Sequence, residues 1–484
     1  MDWGFCGPAY TAADPDQDAQ EAINWYLEAS GTENAKEKWA MLGAPGRVQV
    51  ASGISGEVRG CWVLPGGTTA LWVIGSNVYL MTLAGTATST AAAALSLTLV
   101  GSISSATGQV CIRDNNTGGI AVIVDGSNGY VYNIAAKTVS KINDPAFYGS
   151  DKVSFIDGWL IFNKPGTQVF YTSPLYWNGV SAFDGTYFAS KDSSSDMLVS
   201  HVDSLRELWL LGERTTEVWY DAGNQFFPFS RLEGITLQIG CLAKNSLTKF
   251  NKGLAWLARS ERGEALVVAT EGYVYEVISS PAVARAMANY PVLSDAIGYS
   301  YSEAGHTFYS ITFPTMDVTW VYDAQSKQWH KRAYFDQSGL HRDRTNCFTV
   351  YQDQLLVGDF SNGTISRLAR DVYTENGQPL VSLRRTAHVW DGAERERLFH
   401  SKLQIQFRAG GAAQGTNPQA MLRWSDDSAQ TWSNQQLLSI GQSGQTKNRV
   451  IARRLGAARD RVYEVSVSDA VNRDIVGATL VVSK

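Results

Sequence analysis

Short apolar runs alternate with small turn-forming clusters along most of the chain, and one unit recurs: apolar strand, Gly/Asn/Asp turn, apolar strand. Leu71-Trp72-Val73-Ile74 leads through Gly75-Ser76-Asn77 into Val78-Tyr79-Leu80. Ile120 to Val124 leads through Asp125-Gly126-Ser127-Asn128-Gly129 into Tyr130-Val131-Tyr132, and Val153 to Ile156 through Asp157-Gly158 into Trp159 to Phe162. Glu207 to Leu211 turns at Gly212-Glu213-Arg214 into Glu217-Val218-Trp219-Tyr220, with later copies ending near Tyr275, Tyr322 and Ser366. Tight turns between β-branched and aromatic runs predict hairpins. The unit returns about every 50 residues, a spacing that predicts propeller blades of four short strands. A blade cannot bury its own faces, so blades must stack radially and close into a ring. An array of β-sandwiches is the competing reading. Val321-Tyr322-Asp323 followed by Gln328-Trp329 resembles a kelch-style strand pair, with the Trp filling between blades.

Helical patterns are scarce. Asp16 to Glu28 predicts one helix, with Ala19, Ile23 and Tyr26 on one face, and Ser280-Pro281 supplies an N-cap and first-turn pair for another through Ala288. From about Arg384 the texture changes. Leu403 to Phe407, Val462 to Val467 and Thr479 to Val482 alternate as strands of a small antiparallel sandwich. The expected fold is therefore all-β: a six- or seven-bladed β-propeller with an additional C-terminal antiparallel β-sandwich domain. The expected units are 1–44, a segment packing with the C-terminal domain; 45–383, the propeller with a short helical insertion near 280–290; and 384–484, the sandwich.

Composition supports this picture and adds an asymmetry. Of the 484 residues, 44% are hydrophobic and only 18% charged, which disfavours disorder and coiled coils. The 41 basic and 46 acidic side chains give −5 overall. From Arg384 onward, however, 15 Lys/Arg face 9 Asp/Glu, so this end carries +6 and the first 383 residues carry −11. The tail end is thus a separate electrostatic unit. Five cysteines, Cys6, Cys61, Cys111, Cys241 and Cys347, are odd in number and lack a CxxC spacing, which predicts reduced, structurally incidental thiols. The opening Met1-Asp2-Trp3-Gly4 shows no signal-peptide pattern, and the thin apolar run Ala91 to Ile103 is too short to span a bilayer. The chain reads as soluble, made in a reducing cytosol, and without a membrane.

Chemistry is sparsely signalled. His201, His306, His330, His341, His388 and His400 are scattered without metal-ligand spacing, and no GxSxG, P-loop or GxGxxG occurs. No catalytic residue, cofactor or metal is expected. One motif is sharper: Ser425-Asp426-Asp427-Ser428-Ala429-Gln430-Thr431-Trp432 resembles an Asp box. In such a structural turn, made here of Ser425, Asp427, Thr431 and Trp432, the Asp and Ser side chains bind turn amides while the Trp packs beneath. Ala429 stands where Gly is usual, which should alter the turn slightly. Asp boxes are structural turns, so the motif gives an enzyme little support. The basic C-terminal cluster comprises Arg384, Arg385, Lys447, Arg449, Arg453, Arg454, Arg459 and Arg461. It is either a solvated, salt-bridged face or a patch for an acidic partner or a phosphate backbone, with Arg449, Arg453, Arg454, Arg459 and Arg461 as the candidate contacts.

The ordered series of motifs resembles the packaged-DNA-stabilisation proteins of short-tailed bacteriophages, the tail hub or nozzle. Asn24-Trp25-Tyr26-Leu27-Glu28 is similar to the family's N-x-Y-P-E opening, with Leu27 in place of Pro, and Leu42-Gly43-Ala44-Pro45-Gly46 to its L-x-x-P-G step. Phe188-Ala189-Ser190 with Asp196-Met197-Leu198, Leu208 to Gly212 with Glu217-Val218-Trp219, and the Gly234 to Ser246 segment continue the likeness. Gly305 to Tyr309, Phe313-Pro314 and Thr319 to Asp323 complete it. The resemblance implies a structural virion tail protein, assembled in the host cytoplasm as a ring of six below the portal. It implies a channel for non-specifically held double-stranded DNA, retention of the packaged genome until ejection, and contacts with a portal or connector/adaptor protein and with a tail fibre, spike or needle. It implies no enzymatic activity. The alternative is a carbohydrate-active propeller, a glycan depolymerase or sialidase-like hydrolase.

Overall fold

The computed structural model describes residues 3–32, 35, 37–83, 95–392 and 396–484. Seven four-stranded antiparallel blades follow one another among these residues. Blade 1 comprises Val58–Val63, Thr69–Ile74, Asn77–Leu83 and Leu95–Ser102, and blade 2 Cys111–Asp114, Ile120–Val124, Gly129–Asn133 and Thr138–Lys141. Blade 3 comprises Val153–Ile156, Trp159–Asn163, Val169–Thr172 and Phe188–Ser190, and blade 4 Leu198–Ser204, Glu207–Gly212, Thr216–Asp221 and Phe229–Leu237. In blade 5 the two short pieces Gly240–Cys241 and Thr248–Phe250 share one inner position against Gly253–Arg259, followed by Ala265–Glu271 and Val274–Val277. Blade 6 comprises Ile297–Glu303, His306–Phe313, Val318–Asp323 and Gln328–Asp336.

Blade 7 takes only Thr345–Tyr351, Gln354–Asp359 and Ile365–Ala369 from its own stretch of chain; its fourth strand is Gly46–Ala51, antiparallel to Ile365–Ala369. The inner strand of blade 7 also lies beside that of blade 1, so the ring closes. Each blade-to-blade seam holds its own apolar cluster; Trp72 and Ile74 of blade 1, for example, pack with Leu356 and Ile365 of blade 7. Trp329 sits in the seam of blades 5 and 6, its indole donating to Ile278 O at 2.7 Å.

The helix expected over Asp16 to Glu28 is not formed; this stretch holds the strands Glu21–Ile23 and Trp25–Ala29. The reason lies in Asn24. Its φ of 55° places it in the left-handed region, which an Asn tolerates better than most residues. Its buried amide is then fully used: Nδ2 donates to Ala333 O and Val381 O, both at 2.7 Å, and Oδ1 accepts from Ala333 N at 3.0 Å. After this kink side chains alternate as a strand requires. Trp25 and Leu27 enter the sandwich core, while Tyr26 turns the other way onto His306 and Phe308 of blade 6.

The C-terminal strands build two facing sheets. One has the order Trp25–Ala29, Trp39–Gly43, Ile475–Ser483, Leu398–Phe407, Val450–Arg453. The other runs Glu21–Ile23, Ser382–Arg385, Asp460–Val467, Gln419–Ser425, Gln436–Ser439, and Glu21–Ile23 also pairs in parallel with Gln328–Asp336. One hydrogen-bonded sheet therefore runs from blade 6 across the N-terminal segment into the sandwich. Trp3, Phe5, Trp25 and Met41 share its core with Leu403, Ile405, Val465 and Leu480. Arg384 is fully buried here, donating to Phe5 O and to Gln20 Oε1, and burial lowers its pKa to about 10.

The single helix among the described residues, Pro281–Ala288, links blades 5 and 6. Ser280 caps it by accepting from Val283 N at 3.4 Å, and Val283 and Met287 bury its inner face.

A buried charge network backs the closing strand. Arg47 pairs with Asp343 at 2.5 Å and with Glu375 at 2.8 Å, and Arg332 of blade 6 pairs with Asp343 at 2.8 Å and donates to Pro45 O at 2.7 Å. Burial alone would raise the Asp343 pKa, but the two guanidinium groups hold it well below the usual carboxylate range. At Glu375 burial wins and the pKa is raised. Removing one member of such a set strands the others without water. Asp343→Ala is expected to cost about 3–5 kcal/mol in denaturant unfolding, and Asn24→Ala about 2–3 kcal/mol through its orphaned buried partners.

Candidate functional site

Three regions could do something beyond holding the fold: the propeller axis, its hairpin-tip face, and the basic edge of the sandwich. The axis is crossed by side chains. Arg113 from the inner strand of blade 2 reaches Asp203 on the inner strand of blade 4, and Lys249 of blade 5 meets the same carboxylate at 2.9 Å. Arg113 also lies over the Trp62 ring of blade 1, 4.6 Å from its centroid. Inner-strand side chains of four blades thus touch, and the bore of one propeller admits no duplex.

In each antiparallel blade the first and third turns fall at the same end. In blades 3 to 5 that end carries exposed apolar tips: Tyr176, Leu205, Phe226 and Val274, of which Leu205 and Phe226 are 84% exposed. A polar hollow of about 680 Å³ at that end of blades 2 to 4 is lined by Asn115, Asp157, Tyr176, Arg206 and Asp221 among others, and Arg206 is paired with Asp157 at 2.9 Å. Apolar surface of this kind marks contact with another macromolecule more often than a small-molecule pocket.

The basic candidates separate. Arg453 ends the strand Val450–Arg453, Arg449 precedes it and Arg454 follows it, and Arg459 follows the short strand Ala457–Ala458. All four are exposed, and none has an ion-pair partner among the described residues. Lys402 stands directly opposite Arg453 and extends the charge along the sheet. Arg461 does not belong with them. It is buried, its guanidinium holding Asp426 at 2.6 and 2.7 Å beneath the Asp box, so it is not available to a phosphate. The inward side of the strand Asp460–Val467 put it there, a distinction that residue type alone does not carry. Arg384 and Arg385 are likewise spent internally, Arg385 on Glu21 and Glu464.

Side-chain hydrogen bonds hold the turn at 425–432. Ser425 Oγ accepts from Ala429 N at 2.9 Å, and Asp427 accepts from Thr431 N at 2.8 Å and from Thr431 Oγ1 at 2.5 Å. These hydrogen bonds pull the Asp427 pKa down to about 2. The guanidinium groups of Arg423 and Arg385 lie over the Trp432 ring, 4.6 and 5.2 Å from its centroid. Ala429 has φ 70°, the conformation for which other such turns use Gly.

The histidines are structural. His201 bonds Ser154 Oγ at 2.9 Å, and His330 lies buried beside Tyr26 and Phe308; burial lowers them to about 4 and about 3. His306 pairs with Asp323, His388 with Asp460, and His341 with Asp317 and Asp336; His400 accepts or donates to the Tyr463 hydroxyl at 2.8 Å. Among the described residues no group of three or more His, Cys, Asp or Glu is placed to hold a metal ion, and no helix is long and apolar enough to cross a membrane.

Comparison with known proteins decides the relationship. The family profile described as Bacteriophage P22 Gp10, beta-propeller, matches residues 10–373, and that described as Bacteriophage P22 Gp10, beta-sandwich, matches residues 384–483. The chain belongs to this family. It is accordingly a structural bacteriophage tail protein of the phage-stabilisation class, not an enzyme, and it works in a virion assembly with protein partners. The carbohydrate-active alternative is set aside on that ground. A search of curated proteins gave no match. Among solved structures, the N-terminal domain of Nup159 aligns at 7% identity over 72% of this chain and 99% of that one, with a TM-score of 0.40. A chain of a mitotic checkpoint complex aligns at 10% identity over 71% and 97%, also at 0.40.

Two outcomes test this geometry. Ala429→Gly should stabilise the protein by about 1 kcal/mol, because Gly meets no Cβ penalty in the left-handed region. Stability should also fall on acidification. The folded chain refuses protons at His201 and His330 that the unfolded chain accepts, so the stability they give is complete above pH ~6.5. It is lost as pH falls toward 4 and 3, and His201→Gln with His330→Gln should flatten that part of a denaturation-versus-pH curve.

Proposed function

We propose that six copies form a ring below the portal, that the ring continues the DNA channel, and that it helps retain the packaged genome. The observation that carries this reading is the blocked propeller axis combined with membership of the phage-stabilisation family. DNA passing this protein must run between copies rather than through one. The bridging of propeller and sandwich by one continuous sheet supports a stiff protomer suited to a wall. The apolar tips of blades 3 to 5 offer contact area to a neighbouring copy, a connector or adaptor above, or a fibre, spike or needle below. We further propose the unit boundaries 1–44, 45–383 and 384–484, with the first segment folding only with the last.

Contact with the duplex is sequence-independent and weak, because a genome held by many Lys/Arg–phosphate contacts would not slide out. The −11 balance of the first 383 residues agrees with this. Arg449, Arg453, Arg454 and Arg459 are the groups placed for whatever contact occurs. Imaging of purified particles should show six copies around the tail axis; a monomeric protein seated off the axis overturns the ring. In a salt-titrated assay the isolated protein should bind duplex DNA no tighter than ~10⁻⁶–10⁻⁴ M at physiological salt, the non-specific range. Changing Arg449, Arg453, Arg454 and Arg459 to Ser should reduce both the affinity and its salt dependence. Nanomolar, sequence-selective binding would contradict the sliding role.

A further inference from the structure

We infer that residues 11–20 form a pH-sensitive brace between propeller and sandwich, latched at its tip by His388 only while that imidazole carries both ring protons. The loop is closed at its neck by a bridge between Thr11 and Ala19 and by the Thr11 hydroxyl, which donates to Gln20 O at 2.8 Å. The neck meets the propeller: Arg285 of the helix Pro281–Ala288 donates to Thr11 O at 3.0 Å and to the Tyr10 hydroxyl at 3.3 Å. The tip meets the sandwich. His388 Nε2 lies 2.8 Å from Pro15 O, and His388 Nδ1 lies 2.9 and 2.8 Å from the two Asp460 carboxylate oxygens. The other hydrogen bonds of residues 12–19 stay local, such as Ala12 N to Asp18 O at 2.8 Å and Gln17 N to Asp14 O at 3.0 Å. Among the described residues, the contact at Pro15 is thus the hydrogen bond that ties the tip to the sandwich.

A carboxylate and a carbonyl oxygen only accept hydrogen bonds, so a ring that serves both must donate from both nitrogens. A neutral imidazole has one N–H and one lone pair. It can satisfy one of these partners, and its lone pair then faces the oxygen of the other. On losing a proton the ring keeps the charge-assisted hydrogen bond to Asp460, the stronger of the two, and gives up Pro15. The His388 side chain is only 7% exposed, so water has little access to make up the loss.

The charged groups that face the ring are acidic on both sides: Asp460 from the strand Asp460–Val467 and Asp18 from the loop. The basic neighbours are committed elsewhere. Arg461, next to Asp460, grips Asp426, and Arg384, which senses Asp18, donates to Phe5 O and Gln20 Oε1. The Asp460 hydrogen bond accordingly raises the His388 pKa above its ordinary value; burial opposes it, and Pro15 and Asp18 add to the rise. A folded-state pKa above the unfolded one gives stability that is complete below pH ~6.5 and is lost as pH rises through the folded value. The brace therefore weakens on the alkaline side, opposite to the response at His201 and His330, and it does so at one loop rather than across the fold.

The test is hydrogen exchange of the full chain, read by mass spectrometry between pH ~6 and ~9 and corrected for the intrinsic pH dependence of exchange. Peptides spanning residues 11–20 should lose protection roughly tenfold, the worth of one charge-assisted hydrogen bond, around a midpoint above pH ~6.5. Peptides from the inner strands of the blades should keep theirs. In His388→Gln, which has no proton to lose in this range, the loop should exchange at one pH-independent rate. In Asp460→Asn the new amide can donate to Nδ1, which lets the neutral ring donate to Pro15 O, so the loop should stay protected at the alkaline end. A wild-type loop whose protection does not change with pH overturns the proposal, and so does the wild-type midpoint persisting in either variant. The wild-type profile and the near-isosteric Asp460→Asn keep the answer readable even if His388→Gln fails to fold.

Discussion

Arg47 and the strand that carries it are where this architecture is held shut. A propeller has no cap, and its first and last blades meet only if something joins them. Here Gly46–Ala51 completes blade 7 by hydrogen bonding to Ile365–Ala369. Its second residue reaches inward to Asp343 and Glu375, which Arg332 of blade 6 also grips. Burying four charged groups is expensive unless each finds a partner, and these do. The network also ties Pro45, the last residue before the closing strand, to blade 6, so ring closure and the entry of the N-terminal segment are fixed by the same side chains.

The blades were legible because their signal is local. Gly75, Asp125-Gly126 and Asp157-Gly158 mark turns whose flanking residues alternate or run apolar, and the observed strands begin and end at those marks. The N-terminal strands were not legible. Ala19, Ile23 and Tyr26 have helical spacing, and only the distant partners Ala333 and Val381 explain why Asn24 kinks the chain there. The motif that carried the family resemblance, opening at Asn24, thus turns out to be the junction of propeller and sandwich. The helix after Ser280 was readable because its cap and its proline are adjacent in sequence.

For the candidate site the same division holds. Exposed arginines and a buried one have identical letters: Arg461 points inward from the strand Asp460–Val467, while Arg459 lies just before that strand and is exposed. The blocked axis depends on Arg113, Asp203 and Lys249, residues from three blades whose meeting no local pattern announces. What could be read was the charge imbalance itself, which separates an acidic first 383 residues from a basic tail end.

The sharing of strands between the two ends has a consequence for how the chain is made. Residues 21–51 leave the ribosome first, yet Glu21–Ile23 pairs with Gln328–Asp336 and Ser382–Arg385, Trp39–Gly43 pairs with Ile475–Ser483, and Gly46–Ala51 waits for Ile365–Ala369. The propeller cannot close before Ile365–Ala369 is made, nor the sandwich before Ile475–Ser483. Contacts this distant in sequence form slowly, and unpaired strand edges invite wrong partners in the interval. A nascent chain cut short anywhere before the last strand would therefore carry an unclosed sheet at its beginning. Only a full-length molecule can complete that sheet, whose first strands and last strand come from opposite ends of the chain.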